Sequence, residues 1–391
     1  MSASRSLYHA VSTQIEAHTA LAASHRIRLA LLVTGILAAQ TTVLAQIARH
    51  LCALRLTRAH TWEHVARGLR RTLNDPLLTA AAYLPAVRAA LPRPGGARPW
   101  LVAVDESSQT DRVHLLRMAV PLWGNAVPLA WAVWEQNTPL AQGAYAQHLD
   151  TAFAQTAASL PPSAPVCILA DRAYATPAFL DRCTAHGWRY AVRLPRGSHR
   201  FRDHAGGEGE LRTVLARHVG QPGQRWKGRG WLFKKAGWRA VAVVATWEAG
   251  ADEPLVVVTN VGARWRVLGW YARRYWIEAG FRSDKSQGWQ WEASGVRGVE
   301  RHAVLLGAMA WASLFALCLG GAEARRALRR MAARHPLRHP QPPRESVFTQ
   351  GLQVLRAWLY GVLPRSPTLR LPRIEANCWH DQWLAAQSVR P

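Results

Sequence analysis

Val166-Cys167-Ile168-Leu169-Ala170-Asp171 is an unbroken apolar run that ends on a carboxylate. Five apolar residues without polar alternation read as a strand buried on both faces. The same pattern occurs earlier, in Trp100-Leu101-Val102-Ala103-Val104-Asp105. Two buried strands that each close on an aspartate point to an α/β domain, because ligands bind at the carboxyl ends of strands in open α/β sheets. If the two strands are neighbours, Asp105 and Asp171 can share one cation. Either aspartate taken alone is equally a turn or helix-cap residue.

Working outward, residues 113–121 and 126–134 read as two further strands joined by a turn at Trp123-Gly124-Asn125, giving a three-stranded antiparallel meander. A helix over 141–158 leads to the second aspartate strand. A helix over 177–186 and a strand over 188–194 follow, which together predict a mixed sheet with helices on its faces. Residues 196–262 change to Gly-rich turns and short aromatic or β-branched runs such as Gly230-Trp231-Leu232-Phe233, and read as a β-rich insertion. Helical periodicity resumes near Arg266, passes Glu278, and continues after a break at Ser294-Gly295.

A linker, Pro92-Arg93-Pro94-Gly95-Gly96, separates this domain, taken as 97–322, from an all-helical N-terminal segment, 1–92. Within that segment Thr41-Thr42 and Thr61 are expected helix caps. Its short helices with basic outward faces suit DNA binding and serve equally as a packing or dimerisation domain. Residues 323–391 form a C-terminal segment behind a Pro-rich link at 336–343. Its helix, about 346–363, carries Leu352, Leu355, Trp358 and Leu359 for a dimer contact or for packing on its own core.

Lysine and arginine total 49 against 24 acidic residues, a formal charge of +25. A polyanionic partner is implied, and because the cations are spread along the chain a single basic tail is excluded. Five scattered cysteines, Cys52, Cys167, Cys183, Cys318 and Cys378, supply neither a disulfide framework nor CxxC zinc spacing. No signal peptide is visible at Met1-Ser2-Ala3-Ser4-Arg5. Residues 303–322 lack formal charge and reach the length of a membrane span, but the stretch is single, rich in Ala and Gly, and follows the most charged motif closely. It reads as a buried core helix, and the expectation is a cytoplasmic chain without a membrane partner.

The most specific feature is Tyr271, Arg274, Glu278 and Lys285, at offsets 0, 3, 7 and 14. On one continuous helix at about 100° per residue they fall within roughly 60° of arc. Arg274 and Glu278, spaced i, i+4, would also pair on any solvated helix face. The surrounding Trp270, Tyr275, Trp276, Ile277 and Phe281 argue instead for a largely buried helix whose polar stripe faces something charged.

Tyr271-x2-Arg274-x3-Glu278-x6-Lys285 resembles the YREK signature of the IS4-type bacterial insertion-sequence transposases. The strand ending at Asp105 and the segment Leu169-Ala170-Asp171-Arg172-Ala173-Tyr174 are similar to that family's first and second acidic motifs, with Ala173 where glycine is usual. The resemblance spans about 100–285. It implies a ribonuclease-H-like core with the β-rich insertion between the second and third acids, and a DDE transposase whose catalytic and metal-binding residues are Asp105, Asp171 and Glu278. Two Mg²⁺ or Mn²⁺ ions are the implied cofactors, with Asp105 bridging them. Implied partners are the terminal inverted repeats of a transposon and target DNA, acted on by cut-and-paste in a synaptic homodimer associated with the bacterial nucleoid.

Tyr271, Arg274 and Lys285 are then DNA-binding residues at the phosphate near the cut. Trp231, among the cations of the insertion, is either a stacking platform for an unpaired base or an ordinary sheet residue. No HExxH, Cys/His cluster or GxxxxGK[ST] loop is present, so zinc hydrolysis and ATP-driven movement have no support. A catalytically inactive DNA-binding regulator and a structure-selective nuclease on the same core remain alternatives.

Overall fold

The computed structural model describes residues 2–59, 61–91, 98–110, 112–195, 199–334 and 345–363. The two Pro-rich links and Cys378 lie outside the described residues. In chain order the elements begin with helices α1 (Ala3–His18), α2 (Ala23–Ala39), α3 (Leu44–Ala53), α4 (Trp62–Leu73) and α5 (Leu84–Ala90). Three strands follow, β1 (Trp100–Gln109), β2 (Val113–Leu122) and β3 (Asn125–Glu135), then α6 (Ala144–Ser159), β4 (Val166–Ala170), α7 (Pro177–Ala185) and β5 (Arg189–Arg193). The expected insertion supplies β6 (Arg200–Asp203), β7 (Glu208–Glu210), α8 (Leu211–His218), β8 (Arg225–Leu232), β9 (Arg239–Thr246) and β10 (Leu255–Thr259). Four helices complete the described residues: α9 (Arg266–Ala272), α10 (Trp276–Arg282), α11 (Val299–Arg334) and α12 (Val347–Leu359).

These elements form two compact units. One comprises Met1–Gly95, Glu106–Pro162 and Glu278–Arg390; the other comprises Gly96–Asp105 and Ser163–Ile277.

In the second unit the sheet is mixed, as expected of an α/β fold. Strands β1, β4 and β5 run parallel, and β10 joins β5 antiparallel. Strands β9, β8, β6 and β7 then extend the sheet in antiparallel steps. The insertion is thus continuous with the core sheet through β10. Its strands were not separable in the sequence because Gly228 and Gly230 interrupt the apolar alternation of β8.

In the first unit, β2 and β3 make a hairpin whose turn residues Trp123 and Gly124 both have positive φ, 51° and 76°, the geometry that matches strand twist in a two-residue loop. The unit is organised around α11, which packs against α12, α2, α4 and β3. This helix is long and apolar enough to cross a membrane, but its most apolar window is 94% buried inside the protein, so its hydrophobicity is spent on the core. It starts at Val299 and runs past the predicted end.

The apolar face of α12, with Leu352, Leu355 and Trp358 buried, packs on α11. One capping expectation is corrected. Val43, not Thr41 or Thr42, is the N-cap of α3, because the Thr42 hydroxyl donates to the Trp289 carbonyl 3.0 Å away. Thr61 does cap α4, accepting from the His64 amide.

Helices α11 and α12 approach closely because each presents a glycine to the other. A Cβ on Gly320 would overlap the Val347 carbonyl, and one on Gly351 the Ala316 carbonyl. Gly351→Ala is therefore expected to destabilise the protein by about 1–3 kcal/mol through overpacking. Gly68→Ala, in α4 with open space around its Cβ position, should instead gain about 0.5–1 kcal/mol of helix stability. Urea denaturation of the two variants decides: equal stabilities would mean that the α11–α12 contact is looser than described.

Candidate active site

Apolar burial pulls β1 and β4 into the core up to Val104 and Ala170, and the polar residues begin where the strands emerge. Parallel pairing runs in unbroken register from Trp100↔Val166 to Val104↔Ala170. The next residues, Asp105 and Asp171, therefore stand side by side at the carboxyl ends of adjacent parallel strands, the position where open α/β sheets bind ligands.

Both carboxylates are held. The guanidinium of Arg274 donates through Nη1 to Asp105 Oδ2 at 3.1 Å. Arg274 is buried, lies 4.7 Å over the Tyr275 ring, and sits on the 3-10 turn Arg273–Tyr275 that follows α9. Helix α9 in turn packs on β4, β5 and β10. Asp171 accepts the Ala173 amide at 2.8 Å and so caps the short 3-10 helix Arg172–Tyr174. Ala173 is not among the residues with positive φ, which explains why this turn tolerates alanine where glycine is usual.

Tyr271 is fully buried at the base of this arrangement. Its hydroxyl has no hydrogen bond of good geometry. Burial pushes its pKa up to about 12, and the nearby Arg274 charge opposes that push without cancelling it. Beside the same hydroxyl lies the charge of Arg193, which pairs with Glu253 at 2.6 Å. Sequence reading missed Arg193 because nothing in the local pattern around β5 separates it from an ordinary strand-end cation.

The single helical stripe expected for Tyr271, Arg274, Glu278 and Lys285 is not what forms. The 3-10 turn at 273–275 and a π-helical turn, Ser283–Gln287, interrupt the 3.6-residue repeat before Lys285 is reached. Tyr271 and Arg274 lie with Asp105 and Asp171 in the second unit; Glu278 and Lys285 open the last segment of the first. Glu278 is the third residue of α10 and exposed. Lys285 lies in the π turn and pairs with Glu292 at 3.7 Å.

That turn is anchored deeply. Asp284 and Arg117 form a buried pair at 2.5 Å, with Arg117 also 5.0 Å over the Phe281 ring. The Trp289 indole donates to Ser313 at 2.7 Å. The Trp291 indole donates to His302 Nδ1, whose other ring nitrogen reaches the Val296 carbonyl. Burial lowers the His302 pKa to about 4, so the ring is neutral and can accept from Trp291.

Trp231 lies on β8, half-buried, on the strand face that also carries Arg225, Lys227 and Arg229. Arg202, opposite it on β6, is sandwiched between two indoles, 4.9 Å from Trp231 and 4.8 Å from Trp238. His204 meets the Trp231 ring at 4.9 Å, edge to face. Arg225 and Lys227 cover Trp265 at 5.5 and 5.2 Å. A base stacking on Trp231 would therefore share its ring with Arg202 or displace it.

Among the described residues no group of three or more His, Cys, Asp or Glu side chains is gathered as a metal cage. The donor chemistry of the second unit nevertheless fits a hard divalent cation. Two carboxylates at adjacent strand ends are what magnesium sites in phosphoryl transfer draw from the protein, the remaining ligands being water and substrate oxygens.

Residues 146–315, less than half of the chain, match the family model described as a transposase DDE domain. Asp171, Tyr271, Arg274, Glu278 and Lys285 fall inside the matched stretch and Asp105 lies before it. No curated protein matches the chain. A cryo-EM structure of the piggyBac transposase synaptic complex with hairpin DNA aligns over 93% of this chain and 83% of its own. At 9% identity and a TM-score of 0.38 that likeness is too weak to bear on fold or function. Over residues 146–315, then, the chain is similar to the catalytic domain of DDE transposases.

Proposed function

We propose that this chain is a DNA transposase that cleaves transposon ends and joins them to target DNA, with Asp105, Asp171 and Glu278 as its metal-binding and catalytic carboxylates. The observation that carries the reading is the register of β1 against β4, which seats Asp105 beside Asp171. Nothing about core packing requires two adjacent strands to end on acids. The motif resemblance makes it an IS4-type enzyme acting by cut-and-paste on terminal inverted repeats, in a synaptic homodimer. On this reading residues 1–92 bind DNA, 97–322 carry the chemistry, and 323–391 complete the fold and the dimer.

Each side chain has a task. Arg274 fixes the Asp105 carboxylate through its 3.1 Å contact. The Ala173 amide holds the Asp171 carboxylate at 2.8 Å. Glu278, exposed on α10, is the third acid. A pair of bound Mg²⁺ or Mn²⁺ ions would supply activation of the attacking water or 3′-hydroxyl and charge stabilisation of the leaving 3′-oxygen. Lys285 offers a point charge to a DNA phosphate, and Arg274 a planar fork. Tyr271, whose buried hydroxyl has no partner of good geometry within the protein, would donate a hydrogen bond to the same phosphate. Trp231 offers an aromatic face to an unpaired base, with Arg202 as its resident partner.

The test is Mg²⁺-dependent cleavage and strand transfer on DNA carrying the element's own ends. Asp105→Ala, Asp171→Ala and Glu278→Ala are each expected to keep DNA binding and lose at least about 10³-fold in cleavage, as removal of a catalytic group typically does. Retained activity in any one of them removes that residue from the site. A wild-type chain that binds but never cuts supports the regulator reading instead, and one that cuts without joining supports the nuclease.

Tyr271→Phe separates folding from chemistry. Deleting a buried hydroxyl that lacks a good partner should leave stability unchanged or raise it by about 1 kcal/mol, while end cleavage falls. A loss of stability above about 2 kcal/mol in chemical denaturation would mean that the hydroxyl is firmly bonded after all.

A further inference from the structure

A cavity of about 620 Å³ opens in the second unit between the end of β5, the start of β10 and helix α8. That volume is within the ~300–1,000 Å³ range of small-ligand sites. Its lining is divided in character. Leu194, Leu211, Val219 and Val256 are buried apolar residues, and the Trp247 indole is locked beside them by its hydrogen bond to the Ala251 carbonyl at 2.8 Å. Three guanidiniums, Arg172, Arg193 and Arg212, face one lining carboxylate, Glu253.

The cations are not equivalent. Arg193 pairs with Glu253, and Arg212 pairs with Glu210. Arg172 is exposed and has no acidic partner among the described residues. It follows Asp171 directly in the chain, so the charged end of the cavity begins next to the proposed carboxylate site. His199 lines the same cavity, and burial lowers its pKa, so its ring is a neutral hydrogen-bonding group.

A purely anionic ligand would leave the apolar wall uncovered, and a purely apolar one would leave Arg172 facing nothing. A phosphate ester joined to a flat, partly apolar group satisfies both halves. We propose that this cavity binds a nucleoside 5′-monophosphate unit, its phosphate on Arg172 and its base against the Trp247 and Val219 wall.

Two sources supply that chemistry, a free nucleotide or the 5′-phosphorylated end of a DNA strand. The second rests on the proposed cleavage. When water adds its oxygen to phosphorus and the P–O3′ bond breaks, the proton ends on the 3′-hydroxyl or solvent and the phosphate stays on the 5′-oxygen of the other fragment. A cavity adjoining Asp171 would retain that end.

The experiment uses the full chain in EDTA, where no cleavage is required. Probes are thymidine 5′-monophosphate and one duplex with a short single-stranded 5′ end, prepared with a 5′-phosphate and with a 5′-hydroxyl. A charge-assisted contact predicts about tenfold or tighter binding of the phosphorylated duplex. The preference should disappear in Arg172→Ala and in Leu215→Trp, which fills the cavity from α8, while affinity for the hydroxyl duplex changes little.

Saturable binding of the free monophosphate, lost in the same variants without discrimination between duplex ends, supports the free-nucleotide source. Equal binding of both duplexes together with no binding of the monophosphate overturns the proposal, as does a preference that survives both variants. Because binding is read without cleavage, a chain that discriminates 5′ ends but never cuts refutes the transposase reading and leaves the cavity assignment standing.

Discussion

The parallel pairing of β1 with β4 is the constraint on which the rest of the site depends. Parallel strands are buried on both faces and tolerate little polarity along their length, so polar residues are confined to their ends. Register fixes which ends coincide: Val104 lies opposite Ala170, and a slip of one residue would turn every side chain of one strand to the opposite face. Because Val102, Ala103 and Val104 are wholly buried, as are Ile168, Leu169 and Ala170, such a slip is energetically closed. Hydrophobic packing, with no contribution from the aspartates themselves, thereby places two like charges side by side.

Two neighbouring carboxylates repel, and the fold answers with a buried cation. Arg274 reaches Asp105 from the 3-10 turn that follows α9, the helix docked on β4, β5 and β10. A guanidinium suits the role better than an ammonium, since its planar fork is more weakly hydrated and can lie over the Tyr275 ring while still donating to the carboxylate. The first unit uses the same device in Arg117, which sits over Phe281 and pairs with Asp284. Burial raises the Asp284 pKa and Arg117 opposes it. Breaking such a pair on one side strands a buried charge, which makes each a rigid fixture in its own unit.

How much of this was legible varied with the range of the interaction responsible. The aspartate strands were readable because five apolar residues in a row carry their own boundary, and β4 spans the predicted residues. The hairpin turn was readable from Trp123-Gly124-Asn125 because positive φ at adjacent positions is a local demand. The stripe from Tyr271 to Lys285 was misread in its second half. Helical arithmetic assumes a constant 100° per residue, and the π turn at 283–287 is imposed by buried partners far away in sequence, Arg117 for Asp284 and Ser313 for Trp289. The company of Trp231 was also hidden, because Arg202 reaches it only through the pairing of β6 with β8.

The placement of the interruptions follows from what they do. A straight helix from Arg266 to Lys285 would advance its polar face by a fixed angle, whatever the neighbours required. The 3-10 turn at 273–275 instead presents Arg274 to Asp105, and the π turn lets Asp284 point inward to Arg117 while Lys285 remains partly exposed. Bulges of the π type cost helix stability and persist where side-chain direction matters more than regularity. Both departures, which flank Glu278 within fifteen residues, go with buried polar partners, Asp105 for Arg274 in one and Arg117 for Asp284 in the other. They are the expected signature of a segment whose side chains must be aimed.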